Sequence, residues 1–419
     1  MGVAVLAVAL VTSLFFAGCD SRFVDVNSNP NEPEEVTPDL LLPDVIRSSV
    51  NTSVNAAHNT GNLVLQYVSK VSFNTGIDRY DWTGVGYWDD LYSTLRNVED
   101  IVRLGQEREN PSYEGVGLVM RAWIFSMLTN AYGDIPYSEA IRAEEGENTP
   151  VYDPQEAVYQ GLLADLEQAN DLLMPGSGPS IQGDILYDGN LMKWKKLANS
   201  LRLRLLMRLS EKQGDVAGVD VVADFAEIVN NPSQYPVFED NTDNAALEYL
   251  TSRPNQWPPH TSRVGTFRTF RMSETLTSSL KDVDDPRLSA FGDPTVASVE
   301  EGSPAFVGVP NGLTDDASDN FNGGRDFQSS LNTTKYFEEP NAANGLIMTN
   351  AEVLFLKAEA AARGWTGEDP KTLYEQGVTA SMNQYGLDVP SGYLSQPGVA
   401  FESGQALELI GQQKWIALF

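Results

Sequence analysis

The chain has 419 residues, and its 58 Asp and Glu against 28 Lys and Arg give a formal net charge of −30 at pH 7. A surface this acidic repels the phosphates of nucleic acids and offers no basic patch for anionic lipids, which excludes both as electrostatic partners. With a single cysteine no internal disulfide can form, so burial of apolar side chains must stabilise the fold.

The amino-terminal segment has the pattern of a bacterial lipoprotein signal. A nearly continuous apolar run from Val3 to Phe16, too short to span a bilayer, is followed by Ala17-Gly18 and then by Cys19, the only cysteine. We therefore predict a signal peptide over residues 1–18 and lipidation of Cys19, which would anchor the mature protein to a membrane. The alternative, a buried apolar segment, is disfavoured because strongly polar sequence follows at once.

The two ends of the sequence depart from the usual pattern. No basic residue precedes Val3, and Phe16 stands where such signals usually have Leu. At the other end, the chain stops at Phe419 inside a predicted helix without a cap or a breaker. We expect the natural chain to extend beyond both recorded ends.

Residues 19–38 are rich in Asp, Asn and Pro and have no hydrophobic periodicity. This composition is typical of a tether between an anchor and a folded body. The folded body is then expected to be one domain over residues 39–419.

Helices dominate the rest of the chain. Three segments carry apolar residues at the three- and four-residue spacing of a helix face: Tyr113 to Tyr132, about Trp194 to Leu209, and Ile347 to Arg363. The first and third end at a glycine, Gly133 and Gly364, which is the residue that most often follows a helix. The fold is predicted to be mainly all-α.

Two distant segments resemble copies of one helical unit. DPQEAVYQGLLA from Asp153 and DPKTLYEQGVTA from Asp369 share Asp, Pro, Gln, Gly and Ala in register. Each aspartate is predicted to cap a helix whose first residue is proline, with Glu156 completing a capping box in the first copy. Gly161 and Gly377 would let a neighbouring helix approach closely. Unless the similarity is a coincidence, it predicts a tetratricopeptide-like helical-repeat scaffold.

Residues 231–345 differ from the helical parts. They hold ten of the 23 prolines and many Gly, Asn, Asp and Ser, with one short helical candidate near Phe267 to Lys281. We predict a loop-rich insertion, and loops on a rigid scaffold commonly carry ligand-binding residues. A loop-rich cap without a ligand is the alternative.

Five segments, in order along the chain, resemble those of the SusD/RagB family of outer-membrane lipoproteins. They are FVDVNSNPNEP (Phe23 to Pro33), NAYGDIPYSEA (Asn130 to Ala140), KWKKLANSLRLRLLMRLS (Lys193 to Ser210), MTNAEVLFLKAEAAARGW (Met348 to Trp365) and IGQQKWIALF (Ile410 to Phe419). The resemblance implies a tetratricopeptide-like scaffold with a ligand-bearing insertion. It also implies a nutrient-capture role as a hinged lid over a partner TonB-dependent transporter, at the cell-surface side of the outer membrane.

Sugar binding needs aromatic faces flanked by amide, carboxylate or guanidinium groups. Two segments offer this combination, IDRYDWTGVGYW (Ile77 to Trp88) and the proline-stiffened YLTSRPNQWPPH (Tyr249 to His260). The predicted ligand-binding residues are Trp257, Trp82, Tyr80, Arg79, Asn255 and Arg253. For Trp82 packing and binding are equally favoured, whereas Tyr87, Trp88 and Tyr92 have helical spacing with Leu91 and Leu95 and are predicted to lie in the core.

Residues for catalysis or metal binding are sparse. His58 and His260 are the only histidines and lie far apart in the sequence, so no triad or histidine metal site is predicted, and no cofactor. The stretch from Asp315 to Asn322 has oxygen ligands suited to calcium but lacks EF-hand spacing, and a solvated loop is the preferred interpretation.

A basic run extends from Lys193 to Arg208, in the second predicted helix and the residue just before it. It could bind an anionic ligand. We instead predict pairing of its arginines with acids of a packed neighbour, Glu352 and Glu359, which lie seven residues apart on the third helix.

The function predicted from the sequence is capture of oligosaccharides for a TonB-dependent transporter by a protein that is not an enzyme. A peptide-binding member of the same family, a surface hydrolase, and a helical scaffold that binds only protein are the alternatives. Glycan and peptide binders share this scaffold, so the sequence does not name the ligand.

Overall fold

The computed structural model describes residues 36–419 except 73–75, 82–85, 175, 177–179 and 263–265. The folded unit is Pro38–Phe419. The predicted signal peptide, Cys19, almost all of the predicted tether and Trp82 lie outside the described residues. Within the described ranges, no helix combines the length and the apolar character needed to cross a membrane.

Helices form most of the described chain. Fourteen α-helices are found in it: α1 (Pro38–Ala56), α2 (Asn62–Val64), α3 (Trp88–Glu107), α4 (Pro111–Tyr132), α5 (Gln155–Leu172), α6 (Leu191–Arg208), α7 (Val221–Asn230), α8 (Glu274–Lys281), α9 (Arg287–Phe291), α10 (Val296–Glu300), α11 (Asp315–Asp319), α12 (Asn350–Ala362), α13 (Pro370–Gln384) and α14 (Ala406–Ala417). Four short strands accompany them: β1 (Val68–Lys70), β2 (Ala245–Leu247), β3 (Phe270–Met272) and β4 (Gly345–Met348).

The long helices pack in sequence order. Helix α1 lies against α3, α3 against α4, α4 against α5, α5 against α6, and α6 against α7. Helices α12, α13 and α14 pack on one another, and α12 returns to contact α6. Each helix thus buries its apolar face against its neighbours, with Trp194 fully buried at the centre of the larger core. The predicted mainly α, helical-repeat fold is confirmed.

Two of the three predicted helices match closely and the third begins later. Helix α4 ends at Tyr132 before Gly133, whose φ of 77° is in the left-handed region that glycine tolerates. The third helix was predicted from Ile347, but Ile347 lies in β4, which pairs antiparallel with β2. Helix α12 begins only after Thr349, whose hydroxyl accepts a hydrogen bond from the Glu352 N–H at 3.3 Å.

The two predicted helical copies differ at their starts. In the second copy Asp369 caps α13 as predicted, accepting from the Thr372 N–H at 3.0 Å. In the first copy the prediction was wrong. The carboxylate of Asp153 instead accepts from the backbone N–H groups of Tyr137 at 3.0 Å and Ser138 at 2.8 Å. It therefore fixes the loop after α4 rather than the start of α5.

The start of α5 is satisfied by a residue outside the repeat. Asp134 accepts from the Gln155 N–H at 2.9 Å. Glu156 was predicted to close a capping box, but its carboxylate accepts from the distant Ala217 N–H at 3.1 Å. The capping-box prediction was therefore wrong as well.

Both repeat glycines mark close approaches. A Cβ at Gly161 would lie 2.5 Å from the ring of Tyr137, and one at Gly377 would lie 2.8 Å from the ring of Phe355 in α12. The close approach is confirmed at both positions, although an aromatic ring makes it in each case. At Gly161 that ring belongs to a loop instead of a neighbouring helix.

The segment between β2 and β4 is built of short elements. Pairing of β2 with β4 joins its two ends, and pairing of β3 with β1 ties it to residues 68–70. Phe270, Phe291 and Leu331 belong to an apolar cluster that also includes Tyr67 and Ile416 from outside the segment. The predicted helix from Phe267 is shorter than expected, because Phe270–Met272 forms a strand and only Glu274–Lys281 is α-helical.

One of the two predicted inter-helix ion pairs is present. Arg204 in α6 donates from Nε and Nη2 to the two carboxylate oxygens of Glu352 in α12, at 2.6 Å each. The prediction for Glu359 was wrong, since its carboxylate pairs with Arg363 at 3.0 Å and with Lys414 at 2.7 Å. Glu359 thereby links α12 to α14 instead of α6.

Candidate ligand-binding site

A cavity of about 630 Å³ lies where the insertion meets the helical scaffold. Its wall combines the carboxyl-terminal part of α1, the segment from Asn241 to Glu248 around β2, and the insertion from Trp257 to Leu346. The ends of α13 and α14 complete it. A cavity of this size is in the range of small-molecule binding sites.

Aromatic rings from separate elements line the cavity. Three of them are Trp257 in the insertion, Tyr336 in a π-helical turn (Thr334–Glu338), and Tyr385 after α13. Trp257 is held by its backbone N–H, which donates to the Pro340 carbonyl at 2.7 Å, and by its indole, which meets the ring of Tyr249 edge to face at 5.5 Å. Because these contacts fix the ring, it can act as a rigid stacking surface.

Polar atoms without partners belong to residues that line the cavity. The indole N–H of Trp257, the Asn241 Oδ1 and the Gln384 Oε1 are buried and make no hydrogen bond. The Asn241 amide is oriented by its Nδ2, which donates to the Ala380 carbonyl at 2.9 Å. One donor and two acceptors are therefore unsatisfied beside the cavity, and hydroxyl groups, which both donate and accept, could satisfy them after small side-chain shifts.

Two lysines give the cavity its positive charge. The Lys335 Nζ lies 3.9 Å from the centre of the Tyr385 ring, and burial lowers the pKa of Lys335 to about 8. Lys193 lines the wall by the start of α6, with its Nζ donating to the Thr242 carbonyl at 2.6 Å. Burial also raises the pKa of Tyr385 to about 12, so this ring is neutral at physiological pH.

His58 lines the same cavity from the turn after α1. Its ring lies 4.6 Å from that of Phe270, and burial, together with the charge of Lys70, lowers its pKa to about 4. His260 is buried, with Nδ1 2.9 Å from the Phe337 carbonyl. In the described part of the chain, no group of three His, Cys, Asp or Glu side chains is arranged to hold a metal ion.

Of the five predicted ligand-binding residues that the structure describes, Trp257 alone lines the cavity. Asn255 lies in the same loop, where its backbone carbonyl accepts from the Leu250 N–H at 2.6 Å and its Oδ1 accepts from Arg47 at 3.3 Å. Arg253 is exposed on the same loop. The loop therefore presents the indole inward and the guanidinium outward to solvent.

Tyr80 and Arg79 are in another part of the structure, next to β1. Both are exposed, and Tyr80 keeps 48% of its surface accessible. Tyr80 follows a short 3₁₀ turn with a left-handed φ of 63°, and its hydroxyl accepts from the Gln66 amide at 2.5 Å. The buried Asp78 beneath this turn accepts from the Ser69 hydroxyl at 3.1 Å. Trp82, the third residue predicted here, lies outside the described residues.

The aromatic residues predicted for the core lie at its edge. Tyr87, Trp88 and Tyr92 are partly buried and pack against the large core, as predicted. Trp88 also meets Tyr132 edge to face at 5.0 Å, and the exposed Tyr152 stacks over it at 6.2 Å. These rings close the end of the α3–α4 hairpin.

Several cavity residues were not predicted from the sequence. They are Lys335, Tyr336, Tyr385, Asn241 and Gln384. Lys335, Tyr336 and Asn241 fall inside the predicted insertion, so that prediction pointed to their neighbourhood without naming them. Tyr385 and Gln384 come from the end of α13, more than a hundred residues from Asn241, and no local pattern in the sequence connects the two segments.

The chain was compared with known families and structures. The sequence profile of a SusD-like family, described as starch-binding and associating with the outer membrane, matches residues 30–419. A SusD homologue from Bacteroides fragilis is 27% identical, with a TM-score of 0.79 over 92% of this chain and 84% of that chain. A Bacteroides vulgatus protein suggested to lie in the outer membrane and to bind nutrients is 31% identical, with a TM-score of 0.79 over 91% of this chain and 85% of that one.

A third similar structure is described as a chitin-binding protein. It is 27% identical, with a TM-score of 0.74 over 91% of this chain and 84% of that chain. No curated protein matches the chain at a significant level.

Proposed function

The chain belongs to the SusD-like family of starch-binding proteins that associate with the outer membrane, and on that premise we propose that it captures oligosaccharides at the cell surface and delivers them to a partner TonB-dependent transporter. The family binds nutrients and is not one of enzymes. The observation that carries the choice of ligand is the cavity beside the insertion, where aromatic rings and unpaired polar atoms lie together.

These features suit a sugar for a physical reason. The flat apolar face of a pyranose stacks on an aromatic ring, while its hydroxyls need partners that donate and accept. Trp257 offers both a ring and an unpaired N–H, and Asn241 and Gln384 offer unpaired carbonyl oxygens. A ligand with hydroxyls would satisfy these buried groups, which otherwise cost free energy.

The six residues predicted from the sequence keep distinct roles in this proposal. Trp257 contacts the ligand in the cavity. Asn255 supports the loop that carries Trp257, and Arg253 lies on the outer surface of that loop. Tyr80, with Arg79, would contact a longer saccharide at a separate exposed surface, since the Tyr80 ring is accessible and fixed by Gln66. Trp82, outside the described residues, stays a predicted ligand contact. A chain of several sugars could use both surfaces.

Calorimetry with panels of starch- and chitin-derived oligosaccharides, and of peptides, tests this proposal. Stacking contributes roughly 0.5 to 1.5 kcal/mol beyond area burial, so Trp257→Ala should weaken binding about two- to tenfold, and Tyr80→Ala should weaken longer ligands. Trp257→Phe, which keeps a ring but removes the N–H, should lose less. Tyr152→Ala is the matched control, because Tyr152 is 64% exposed and does not line the cavity.

Each alternative has its own outcome in this experiment. Unchanged affinity in both Trp257→Ala and Tyr80→Ala would move the site elsewhere. Binding of peptides but no saccharide would favour a peptide-capture protein, whereas turnover of any ligand would favour a hydrolase. Affinity for no soluble oligomer, with copurification of a membrane partner, would favour a protein-binding scaffold.

The proposed membrane anchor is the lipid on Cys19. A net charge of −30 disfavours electrostatic attachment to anionic lipids, so Cys19→Ala should release the protein from membranes. Fatty-acid labelling with membrane fractionation measures this. Retention of the alanine variant on salt-washed membranes would contradict the lipoprotein proposal, and protease shaving of intact cells would report whether the protein faces outward.

The proposed partner is the transporter barrel. Anchoring in the same membrane raises the effective concentration of the two proteins, and a polar tether would let the body swing as a lid. Detergent extraction and pull-down of the lipidated protein should recover a large outer-membrane barrel. Recovery of the protein alone from native membranes would count against the lid mechanism even if ligand binding were established.

A further inference from the structure

We propose that the cavity selects oligosaccharides carrying an anionic group, and that the ammonium of Lys335 binds that group. This inference rests on the proposed function, because it names the class of saccharide taken by the same site. It follows from an arrangement of cationic, aromatic and amide side chains that the starch-binding description of the family does not call for.

Lys335 has aromatic neighbours and no carboxylate partner in the part of the chain that the structure describes. Its Nζ is 3.9 Å from the centre of the Tyr385 ring and 5.4 Å from that of Tyr336. Among the described residues, no Asp or Glu oxygen lies within ion-pair distance of it, whereas Lys196, Lys357 and Lys414 each pair with an acid. Lys193 and Lys195 also lack an acid at that distance, but each donates from Nζ to a backbone carbonyl, of Thr242 at 2.6 Å and of Asn170 at 2.8 Å.

The positive charge of Lys335 is only partly compensated in this position. The ring faces attract it, yet burial disfavours its charged form, which is why the pKa of Lys335 falls to about 8. A carboxylate or sulfate on the ligand would supply the missing counter-charge and a charge-assisted hydrogen bond. Such a bond forms only when the ligand is bound, so it would contribute to affinity rather than to folding.

The other charged residues of the wall favour the same ligand. Lys193 adds a second ammonium group, and Glu248, which is exposed, is the acidic side chain among the described lining residues. The net charge of −30 repels anions at long range, but charges beyond about 10 Å are largely screened at 0.1 M salt. Binding of an acidic glycan therefore has to come from local cations, and the acidic surface alone would predict none.

A matched pair of ligands isolates the charge. Calorimetry on the intact protein would measure the binding of three acidic trisaccharides, which contain galacturonate, glucuronate or mannuronate. Each is compared with its methyl ester, which keeps the sugar backbone and removes the charge. A sulfated trisaccharide and its desulfated form distinguish sulfate from carboxylate. Lys335→Gln removes the ammonium, and Lys371→Gln, an exposed lysine paired with Glu375 at 3.8 Å, is the control for loss of one positive charge.

The expected result is tighter binding of at least one anionic ligand than of its neutral form, by about tenfold or more. Lys335→Gln should remove that preference by weakening the anionic form more than the neutral form, while Lys371→Gln should leave the preference as it is in the wild type. Lys335→Met, which keeps the length of the side chain, should behave as Lys335→Gln does. Because neutral ligands serve as the reference, a general loss of the fold would be distinguished from loss of the charge.

Two results would overturn the inference, and they differ. In the first, neutral saccharides bind and no anionic form is preferred, or the preference survives in Lys335→Gln. The proposed selectivity for anionic saccharides is then wrong, while the proposed function stands. If no saccharide binds, charged or neutral, both fall. A Lys335 that only supports Tyr385 would weaken neutral and anionic ligands equally on substitution.

Discussion

Replacement of Arg204 by methionine should destabilise the protein by about 3 kcal/mol. Arg204 and Glu352 form two parallel hydrogen bonds of 2.6 Å, and a third runs from Arg204 Nη2 to the Ile347 carbonyl at 2.8 Å. The side chains are 17% and 8% exposed. Removing one partner of a buried pair costs about 3 to 5 kcal/mol because the other charge stays buried, and the partial exposure of Arg204 places the cost near the lower end.

Urea unfolding, followed by tryptophan fluorescence and far-UV circular dichroism, measures this cost. Arg204→Met, Glu352→Gln and the double variant form a cycle in which the double variant should lose less than the sum of the two single variants, since it leaves no unpaired charge. Arg103→Met is the matched control. Its guanidinium pairs with Asp100 and Glu107, but all three side chains are 45% to 55% exposed, so its loss should cost less than about 1 kcal/mol.

The reasoning would be refuted by either of two results. One is an Arg204→Met variant that loses no more stability than Arg103→Met. The other is a coupling energy near zero in the cycle, which would mean that the two side chains stabilise the fold independently and that the α6–α12 contact is mainly apolar.

Three further predictions concern packing, a second buried pair and pH. Gly377→Ala should destabilise the protein by about 1 to 3 kcal/mol because its Cβ would meet the Phe355 ring at 2.8 Å. The control Gly411→Ala has no atom within 4 Å of its Cβ and should stabilise α14 by up to about 1 kcal/mol. Equal shifts of the two variants in thermal denaturation would refute the packing argument. Arg287→Met should cost about 3 to 5 kcal/mol in urea unfolding, since it leaves the fully buried carboxylate of Asp285 without its 2.6 Å partner; a loss below 1 kcal/mol would contradict this. The pKa of His58 falls from 6.5 to about 4 on folding, so the unfolded chain takes up a proton that the folded chain refuses, and stability is lost as pH falls from 6.5 to 4. His58→Gln should therefore lose less stability than the wild type between pH 7 and pH 5, and identical losses would show that His58 does not contribute.

The helical scaffold could be predicted because its evidence is local. Apolar spacing and a terminal glycine each act within a few residues, and α4, α6 and most of α12 follow the apolar spacing. Even one distant contact, Arg204 with Glu352, could be predicted from a buried cation seeking an acid on a packed neighbour. These rules do not predict the structure correctly where two signals compete. At Ile347 the apolar spacing predicts a helix, but the residue lies in β4, which pairs with β2.

Capping is a second place where local reasoning reached its limit. Asp153 and Asp369 each stand before a proline at the start of a similar segment, yet only Asp369 caps its helix. The loop after α4 causes the difference, because the N–H groups of Tyr137 and Ser138 donate to the Asp153 carboxylate. Asp134 caps the start of α5 instead, accepting from the Gln155 N–H. A carboxylate pairs with whichever donors the tertiary fold brings nearest, and the sequence of the helix alone does not identify those donors.

The cavity is predicted least well for the same reason, and its construction has a consequence for specificity. Tyr385 and Gln384 come from the end of α13, whose packing on α12 is part of the scaffold, whereas Trp257 and Lys335 come from the insertion. The two walls are therefore constrained differently: a change at the end of α13 disturbs helix packing, while a change at Lys335 alters a short turn. An insertion of this kind can exchange an ammonium for a neutral side chain without repacking the helices, so under the proposed function the charge of the ligand should be set at positions such as Lys335, while Tyr385 and Gln384 stay constrained by the scaffold.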